Sequence, residues 1–382
     1  MNRCRGSPVS NPNRPIELDI AIIGGGSAGM TLARKLSTLK TAVFEPRLAS
    51  ERDCSWALWA QPRQLEELSP AIKGSWNKWR FIDQSGEVIH QSHEYRYASL
   101  SSSQYLQHCE ASLSDSVHLV RQSIDRVESD CRGGGQLNTK GQTYCAKTIY
   151  DSRPPEMPDN SLRQHFLGWE ISTKEPISAA DIATLMDFRV DQSRGLHFIY
   201  VLPYSDSHLL VESTMISTQL EDKDWYRNAI SQWLDDQNIQ VQSKLREEYG
   251  VIPMTAVPSQ QDGLARIGAA SGAVRLSSGY AFSSIQAQMA TLSNSIAAGD
   301  RQVPRPFSRS LIFMDKVFNR VLKTQPRYGV GLFMAMGRTL KADAFVRFML
   351  GHAGCIDWTQ VIMAMPKWPF IKAAVAEVFS HD

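Results

Sequence analysis

Between Leu18 and Ile23 apolar residues run almost without a break, and the run stops abruptly at Gly24-Gly25-Gly26. A short continuous apolar stretch reads as a strand buried on both faces, the kind found in parallel sheets. After Ser27-Ala28-Gly29 the spacing changes, and Met30 to Leu36 reads as a helix. A second apolar strand, Thr41-Ala42-Val43-Phe44, then ends on Glu45. Each part has a physical job: Gly24 makes the turn, Gly26 lets backbone approach a pyrophosphate, and Gly29 lets helix pack on strand. The helix N-terminus offers free N–H groups and the positive end of its dipole to phosphates. Glu45, at the strand tip, can accept hydrogen bonds from an adenosine ribose. Strand, turn, helix, strand and acid in register predict a dinucleotide-binding unit. Gly133-Gly134-Gly135 is no second copy, because it sits in a polar stretch and reads as a loop tip. One such unit, with the other glycine junctions far downstream, fits a tightly held FAD better than an exchanging NAD.

Farther on, Trp79 to Ile89 alternates about Ser85-Gly86 and predicts a hairpin. Ser103 to Leu113 reads as a helix, and Thr148-Ile149-Tyr150-Asp151 as a buried strand whose polar end, Ser152-Arg153, meets the ligand side of a parallel sheet. Pro154, Pro155 and Pro158 mark a domain edge. Strands then dominate (166–171, 184–190, 196–202 and 209–216), followed by an amphipathic helix carrying Trp225, Ala229, Trp233 and Leu234 on one face. Gly268, Gly272 and Ser278-Gly279-Tyr280 form a second glycine junction of the kind that closes over a flavin's diphosphate and ring. The expected fold is α/β: a discontinuous Rossmann-like FAD domain (17–155 and 256–300), an inserted antiparallel β substrate domain (156–255) and a helical region (301–382). Residues 1–16, rich in Asn, Pro and Arg and lacking a signal peptide's apolar core, are expected to be a disordered tail.

Charge changes the picture at the C-terminal end. The 382 residues carry a net +2, but residues 301–382 hold twelve Lys or Arg against five Asp or Glu, a net of +7, leaving −5 for the rest. Six of the thirteen methionines lie there too. Phe307, Leu311, Met314, Phe318 and Val321 keep helical spacing, with Arg309, Lys316, Arg320 and Lys323 outside the stripe. Pro326 stops this helix, and 327–350 and 355–379 read as further helices. Such a region is a packed helical subdomain, and its cations beside Met, Phe and Trp also suit an anionic lipid surface. No basic-aromatic cluster or recognition motif points to nucleic acid, and no apolar run approaches the ~20 residues that span a bilayer. Six scattered cysteines show neither metal nor redox spacing and read as reduced thiols of a cytoplasmic protein. His90 and His93, in a polar region, read as solvated surface; no metal site is expected.

Candidate chemistry centres on Glu212. Alternation along Leu209 to Ile216 places Leu210, Glu212, Thr214 and Ile216 on one face. A carboxyl among Leu and Ile pays for its charge in lost hydration, so its pKa should rise. Each unit of rise is worth ~1.36 kcal/mol to the protonated form, and an acid kept protonated at neutral pH can give its proton to a weak base. The competing reading is a strand glutamate facing water or paired with Arg189. Asp187, in Leu185-Met186-Asp187-Phe188, is a weaker candidate of the same kind.

From Asp19 to Phe370 the chain resembles the bacterial and plant FAD-containing lycopene β-cyclases. The resemblance is carried by the glycine fingerprint with Glu45, by Cys54-Ser55-Trp56, Asp151-Ser152-Arg153, Phe166-Leu167-Gly168-Trp169-Glu170 and Met186-Asp187-Phe188. Phe198 to Pro203, Leu210 to Thr214, Gly250 to Met254 and Ser278 to Phe282 complete it in order. It implies protonation of the ψ-end of lycopene, ring closure, and proton loss to a β-ionone ring, with a reduced flavin that is not consumed. It implies FAD contacts from Gly24, Gly26, Gly29, Glu45, Arg153, Gly268, Gly272, Gly279 and Tyr280. The family's essential acid falls on Glu212, whereas Ser213 replaces the family's second acid and Ser278 its usual threonine. A carotene substrate places the enzyme peripherally on a membrane, in the company of other carotenoid-pathway enzymes. The alternatives are an FAD-dependent monooxygenase or reductase of a lipophilic molecule, or a flavoprotein that has lost its activity.

Overall fold

The computed structural model describes residues 14–130, 132–257 and 263–379. The tail expected over 1–16 falls mostly outside these residues, as do Cys4 and Cys131. The N-terminal unit is β1 (Ile16–Ile23), α1 (Ser27–Ala33) and β2 (Thr41–Phe44). Next come β3 (Ser55–Ala60), α2 (Pro62–Leu68), β4 (Ile72–Trp76), β5 (Lys78–Asp83), β6 (Gly86–Gln91), β7 (Arg96–Ser101) and α3 (Ser102–Ala111). The unit closes with β8 (Val117–Val120), β9 (Arg126–Ser129), β10 (Gly135–Thr139) and β11 (Gln142–Asp151). The middle is β12 (Arg163–Thr173), β13 (Ala183–Asp187), β14 (Leu196–Pro203), β15 (His208–Ser217), α4 (Lys223–Asp236) and β16 (Val241–Pro253). After β17 (Ala265–Arg266) and α5 (Phe282–Ala297) the chain is helical: α6 (Arg309–Thr324), α7 (Gly329–Thr339), α8 (Ala342–Leu350), α9 (Cys355–Ala364) and α10 (Lys367–Phe379).

The first sheet runs β8-β2-β1-β11-β10-β9, with β17 also on β11. Its centre is parallel, which is why β1 and β2 read as unbroken apolar runs. One face packs under α1, α3 and α5. The three-stranded β3-β7-β4 sheet bridges to a large antiparallel sheet, β16-β12-β15-β14-β13-β5-β6. That sheet buries one face against α4, through Val211, Met215, Tyr226 and Trp233. Its other face meets the C-terminal helices, through Trp79, Phe198, Phe333 and Phe345. The expected α/β architecture, with its antiparallel platform and helical C-terminal region, is the one observed.

Three readings need correction. The platform is not confined to 156–255, because the β5–β6 hairpin joins it through a parallel pairing with β13. The helix expected over 327–350 breaks at Leu340-Lys341, and the one over 355–379 at Met365-Pro366, where the residue before a proline is pushed to extended backbone. His90 is buried rather than solvated. Its Nε2 lies 2.6 Å from Gly337 O, where α7 presses on the hairpin. Gly337 permits that approach: a Cβ there would sit 3.1 Å from the Phe81 ring. Among the described residues no His, Cys, Asp or Glu cluster could hold a metal, and the four described cysteines are free thiols.

Candidate functional site

At the end of β1 the chain turns on Gly24, whose φ of +91° suits glycine. A Cβ on Gly29 would fall 2.0 Å from Gly24 O, so α1 rests directly on the turn. The Cβ position of Gly26 meets nothing within 4 Å, and Ser27 Oγ beside it is buried without a partner. An open face, free helix N–H groups and an orphan hydroxyl are what a diphosphate would fill. Glu45 is buried at the tip of β2, its Oε2 accepting from Gly25 N at 3.2 Å and its Oε1 from Arg47 N at 3.2 Å. Burial works to raise its pKa. The Arg47 N–H, the Arg52 guanidinium and the Gly25 N–H outweigh that and hold the carboxyl below its usual range. Arg52, which the sequence reading missed, also donates to Gly25 O at 2.7 Å and so braces the turn.

The second glycine junction folds back onto the first. Gly268 has φ +65°, and a Cβ there would lie 2.5 Å from Ala28 Cβ at the start of α1. Gln288 Oε1, on α5, accepts from Gly268 N at 3.0 Å. Gly272 and Gly279 also have positive φ, and Ser278 Oγ is a second buried hydroxyl without a partner. The Arg153 backbone borders the turn, its N 3.6 Å from where a Cβ on Gly24 would lie, while Asp151 at the end of β11 grips its guanidinium at 2.6 and 3.0 Å. Its neighbour Ser152 caps β1, donating to Ile23 O and Gly24 O.

Between this junction and the antiparallel platform lies a cavity of about 670 Å³. Pro154, Pro155 and Ser277 to Phe282 form its wall on the side of the parallel sheet; Leu185, Phe198, Tyr200, Glu212, Thr214 and Ile216 form its platform wall. The face predicted by alternation along β15 is therefore the cavity face. Glu212 is 8% exposed, and burial pushes its pKa well above the carboxylate range, with the neighbouring Glu248 adding to the rise. Arg189 is not its partner. Tyr200 stands opposite Glu212 on β14, and its hydroxyl lies 2.8 Å from Tyr97, which in turn accepts from Tyr280 at 2.8 Å.

Asp187 does not resemble Glu212. Burial opposes its charge, but Arg189 at 2.7 Å and the Trp233 indole N–H at 3.0 Å hold the carboxyl below its usual range. It is an ionised structural anchor between β13 and α4, and it does not line the cavity. Ser213 also lies off the site. It points to the α4 side of the sheet, where His197 Nε2 lies 2.9 Å from its hydroxyl and burial pushes that imidazole down to about 4. Sequence reading overlooked Arg246 and Glu248 on β16 and Lys73 on β4, and gave Glu170 on β12 no role. Lys73 Nζ bonds Glu170 at 2.5 Å, and Arg246 bridges Glu170 at 3.0 Å and Glu248 at 2.9 Å. Alternation along Arg246-Glu247-Glu248 placed Arg246 and Glu248 on one face, but nothing local said that the face was buried.

Comparison with known proteins agrees with this layout. The family model described as lycopene cyclase protein matches residues 19–375. A lycopene beta-cyclase of Pantoea ananas is 27% identical over 261 residues, spanning 63% of this chain and 67% of that protein. One from Pseudescherichia vulneris is 22% identical over 385 residues, spanning 93% and 96%. Among solved structures, a geranylgeranyl bacteriochlorophyll reductase-like protein of Thermoplasma acidophilum superposes with a TM-score of 0.61 at 14% identity, over 95% of this chain and all of that one. The myxobacterial chondrochloren halogenase, a variant of FAD-dependent halogenases, gives 0.52 at 14%, over 96% and 97%. These structures share the fold.

Proposed function

The chain belongs to the lycopene cyclase family, and we propose that it is a lycopene beta-cyclase acting by acid catalysis from Glu212. One observation carries this reading: a carboxyl held protonated by burial on the wall of a mostly apolar cavity. Protonating an alkene demands an acid that water neither levels nor ionises, and the cation formed must be kept from water. Phe198, Ile216, Phe333, Phe345 and Met349 supply a dry wall for the polyene. The Tyr200, Tyr97 and Tyr280 hydroxyls, neutral like any tyrosine at this pH and raised further by burial, satisfy one another and add no strong base to divert the proton.

FAD fits the residues present: the open Gly26 face, the partnerless Ser27 hydroxyl and Glu45 would hold its diphosphate and ribose. Gly268, Gly272, Gly279 and Tyr280 would hold the ring side. Bound and reduced, FAD supplies an electron-rich ring that stabilises nearby positive charge without being consumed. The reaction is then an isomerisation by intramolecular addition, with no net redox change.

We place the enzyme peripherally on a membrane, where its hydrocarbon substrate resides. No helix among the described residues is long and apolar enough to cross one. Support comes from α9 and α10, which expose Ile356, Met363, Trp368, Val378 and Phe379, each at least 64% accessible. A second apolar space of about 250 Å³, walled by α6, α7, α9 and α10, shares Ser277, Phe333 and Met349 with the main cavity. It offers room for the polyene beyond the reacting end. Expression in cells that accumulate lycopene should convert it to cyclised carotene, and Glu212→Gln should retain flavin while losing at least ~10²-fold in rate. Unchanged lycopene with the wild-type chain overturns the reading. So does NAD(P)H oxidation in step with product.

A further inference from the structure

Glu212 and Glu248 come from the two strands that flank β12, and the register sets both opposite Gly168. Directly opposed residues of an antiparallel ladder share a face, so both carboxyl groups lean over the same glycine. A Cβ on Gly168 would lie 2.7 Å from Glu212 Cγ and 3.4 Å from Glu248 Cγ. The pair has room to meet because the strand between them carries no side chain. That placement brings the two carboxyl groups close enough for Glu248 to weigh on the Glu212 proton. Glu248 Oε2 is already occupied by Arg246 Nη2 at 2.9 Å and Ser55 N at 3.0 Å. Its Oε1 is buried, and no N–H or hydroxyl among the described residues reaches it. A buried acceptor left empty calls for a donor, and the carboxyl proton of Glu212 is in place to be one.

We propose that Glu212 and Glu248 work as a carboxyl–carboxylate pair, in which Glu248 is a positioning residue that fixes the proton on Glu212 and helps the spent pair recover it. Glu248 does not line the cavity, so it acts through Glu212. This rests on the cyclase reading for its substrate only. In the forward step the Glu212 O–H bond breaks and a C–H bond forms at a terminal alkene carbon, leaving the adjoining carbon positive. A second alkene attacks that carbon, forming the ring C–C bond and moving the charge into the ring. A C–H bond beside the charge then breaks, its electrons become the ring alkene, and the proton returns to Glu212. Atoms and electrons balance without an oxidant or reductant.

Glu248 matters because donation leaves two carboxylates side by side in a dry site, and like charges there disfavour each other. That repulsion turns a spent acid into a base suited to closing the cycle. The other groups facing Glu212 are Arg246 on β16 and Lys73 on β4, whose charges oppose the rise, and Tyr200 on β14, backed by Tyr97 on β7 and Tyr280. Glu170, two residues along β12 from Gly168, is itself bonded to Lys73, Arg246 and His208.

The test is an infrared titration of the protonated carboxyl band in the purified flavoprotein, assigned by its loss in Glu212→Gln. In Glu248→Gln the neighbouring charge is gone, so the band's midpoint should fall by about one pH unit or more. The alkaline limb of the rate profile should fall with it, while flavin content stays at the wild-type level. Glu248→Asp keeps the charge and should keep the midpoint near wild type. A midpoint that stays put or rises in Glu248→Gln overturns the proposal. Should that variant not fold, Gly168→Ala decides: its methyl pushes the pair apart and should lower the midpoint, and an unmoved value overturns the proposal. Intact lycopene alongside the expected midpoint shifts would refute the cyclase reading and leave the pair standing.

Discussion

Glu212 states the central trade of this molecule in one side chain: burial that makes it an acid also makes it a burden on stability. Its folded-state pKa is raised, so the folded chain holds a proton that the unfolded chain releases. Its stabilising share is complete below the ordinary carboxylate range and is lost as pH climbs toward the raised value, at ~1.36 kcal/mol per pH unit. Glu212→Gln does not titrate. Wild type and variant should therefore diverge as pH rises from 5 to 8, the variant gaining in relative melting temperature; calorimetry across that range checks it, and parallel curves would contradict the assignment. Charged groups held low, such as Glu45 and Asp187, are common to both chains and cancel. Glu212 was legible because period-two alternation fixes a face without knowledge of any partner. Glu248 was not, since its meaning arises only when β12 brings it beside Glu212. Asp187 is kept ionised first by Arg189, two residues along, and then by Trp233 on a helix far along the chain, a second partner no local pattern shows.

Elements whose neighbours lie close in sequence were readable. β1, α1 and β2 follow from an apolar run, a glycine turn and a terminal acid, and β12 to β15 from alternation punctuated by turns. The β5–β6 hairpin was also seen, but its place in the platform depends on a parallel pairing across a hundred residues, which no local pattern encodes. The C-terminal helices were seen as amphipathic, yet what docks them was hidden. Alongside the apolar packing it includes a buried ion pair: Arg275 Nε meets Asp315 on α6 at 2.6 Å, with Arg275 Nη1 on Phe348 O at 2.6 Å. Asn319, one turn on, donates to Met254 O and Leu276 O, both at 2.6 Å. Removing one member of such a pair strands the other in a dry site. Asp315→Ala should therefore cost about 3–5 kcal/mol, read as a lowered urea midpoint. Asp315→Asn, which can still accept a hydrogen bond, should cost less. Equal stability of Asp315→Ala and wild type would mean that the helices are held by apolar packing alone.

Taken as a whole, the molecule faces two ways. The parallel sheet presents its glycine junctions to the cavity from one side, while α9 and α10 present unpartnered apolar side chains to the exterior on the other. Cationic charge gathers in the same helical region, where Lys372 and Lys367 stand on α10 beside Trp368 and Ile371. Such a surface should bind anionic vesicles through both terms. Each buried large side chain contributes about 1.5–3 kcal/mol, and each lysine near the headgroups about 1 kcal/mol that salt weakens. Trp368→Glu with Phe379→Glu should thus reduce sedimentation with anionic vesicles at least tenfold, whereas Lys372→Gln should mainly weaken its salt sensitivity. Trp368, Lys372 and Phe379 line neither the Glu212 cavity nor the apolar space that adjoins it. Both variants should therefore cyclise lycopene presented in detergent at the wild-type rate while failing on lycopene held in vesicles. A Trp368→Glu, Phe379→Glu chain that binds and turns over vesicle-held lycopene normally would show that the polyene reaches Glu212 by another route.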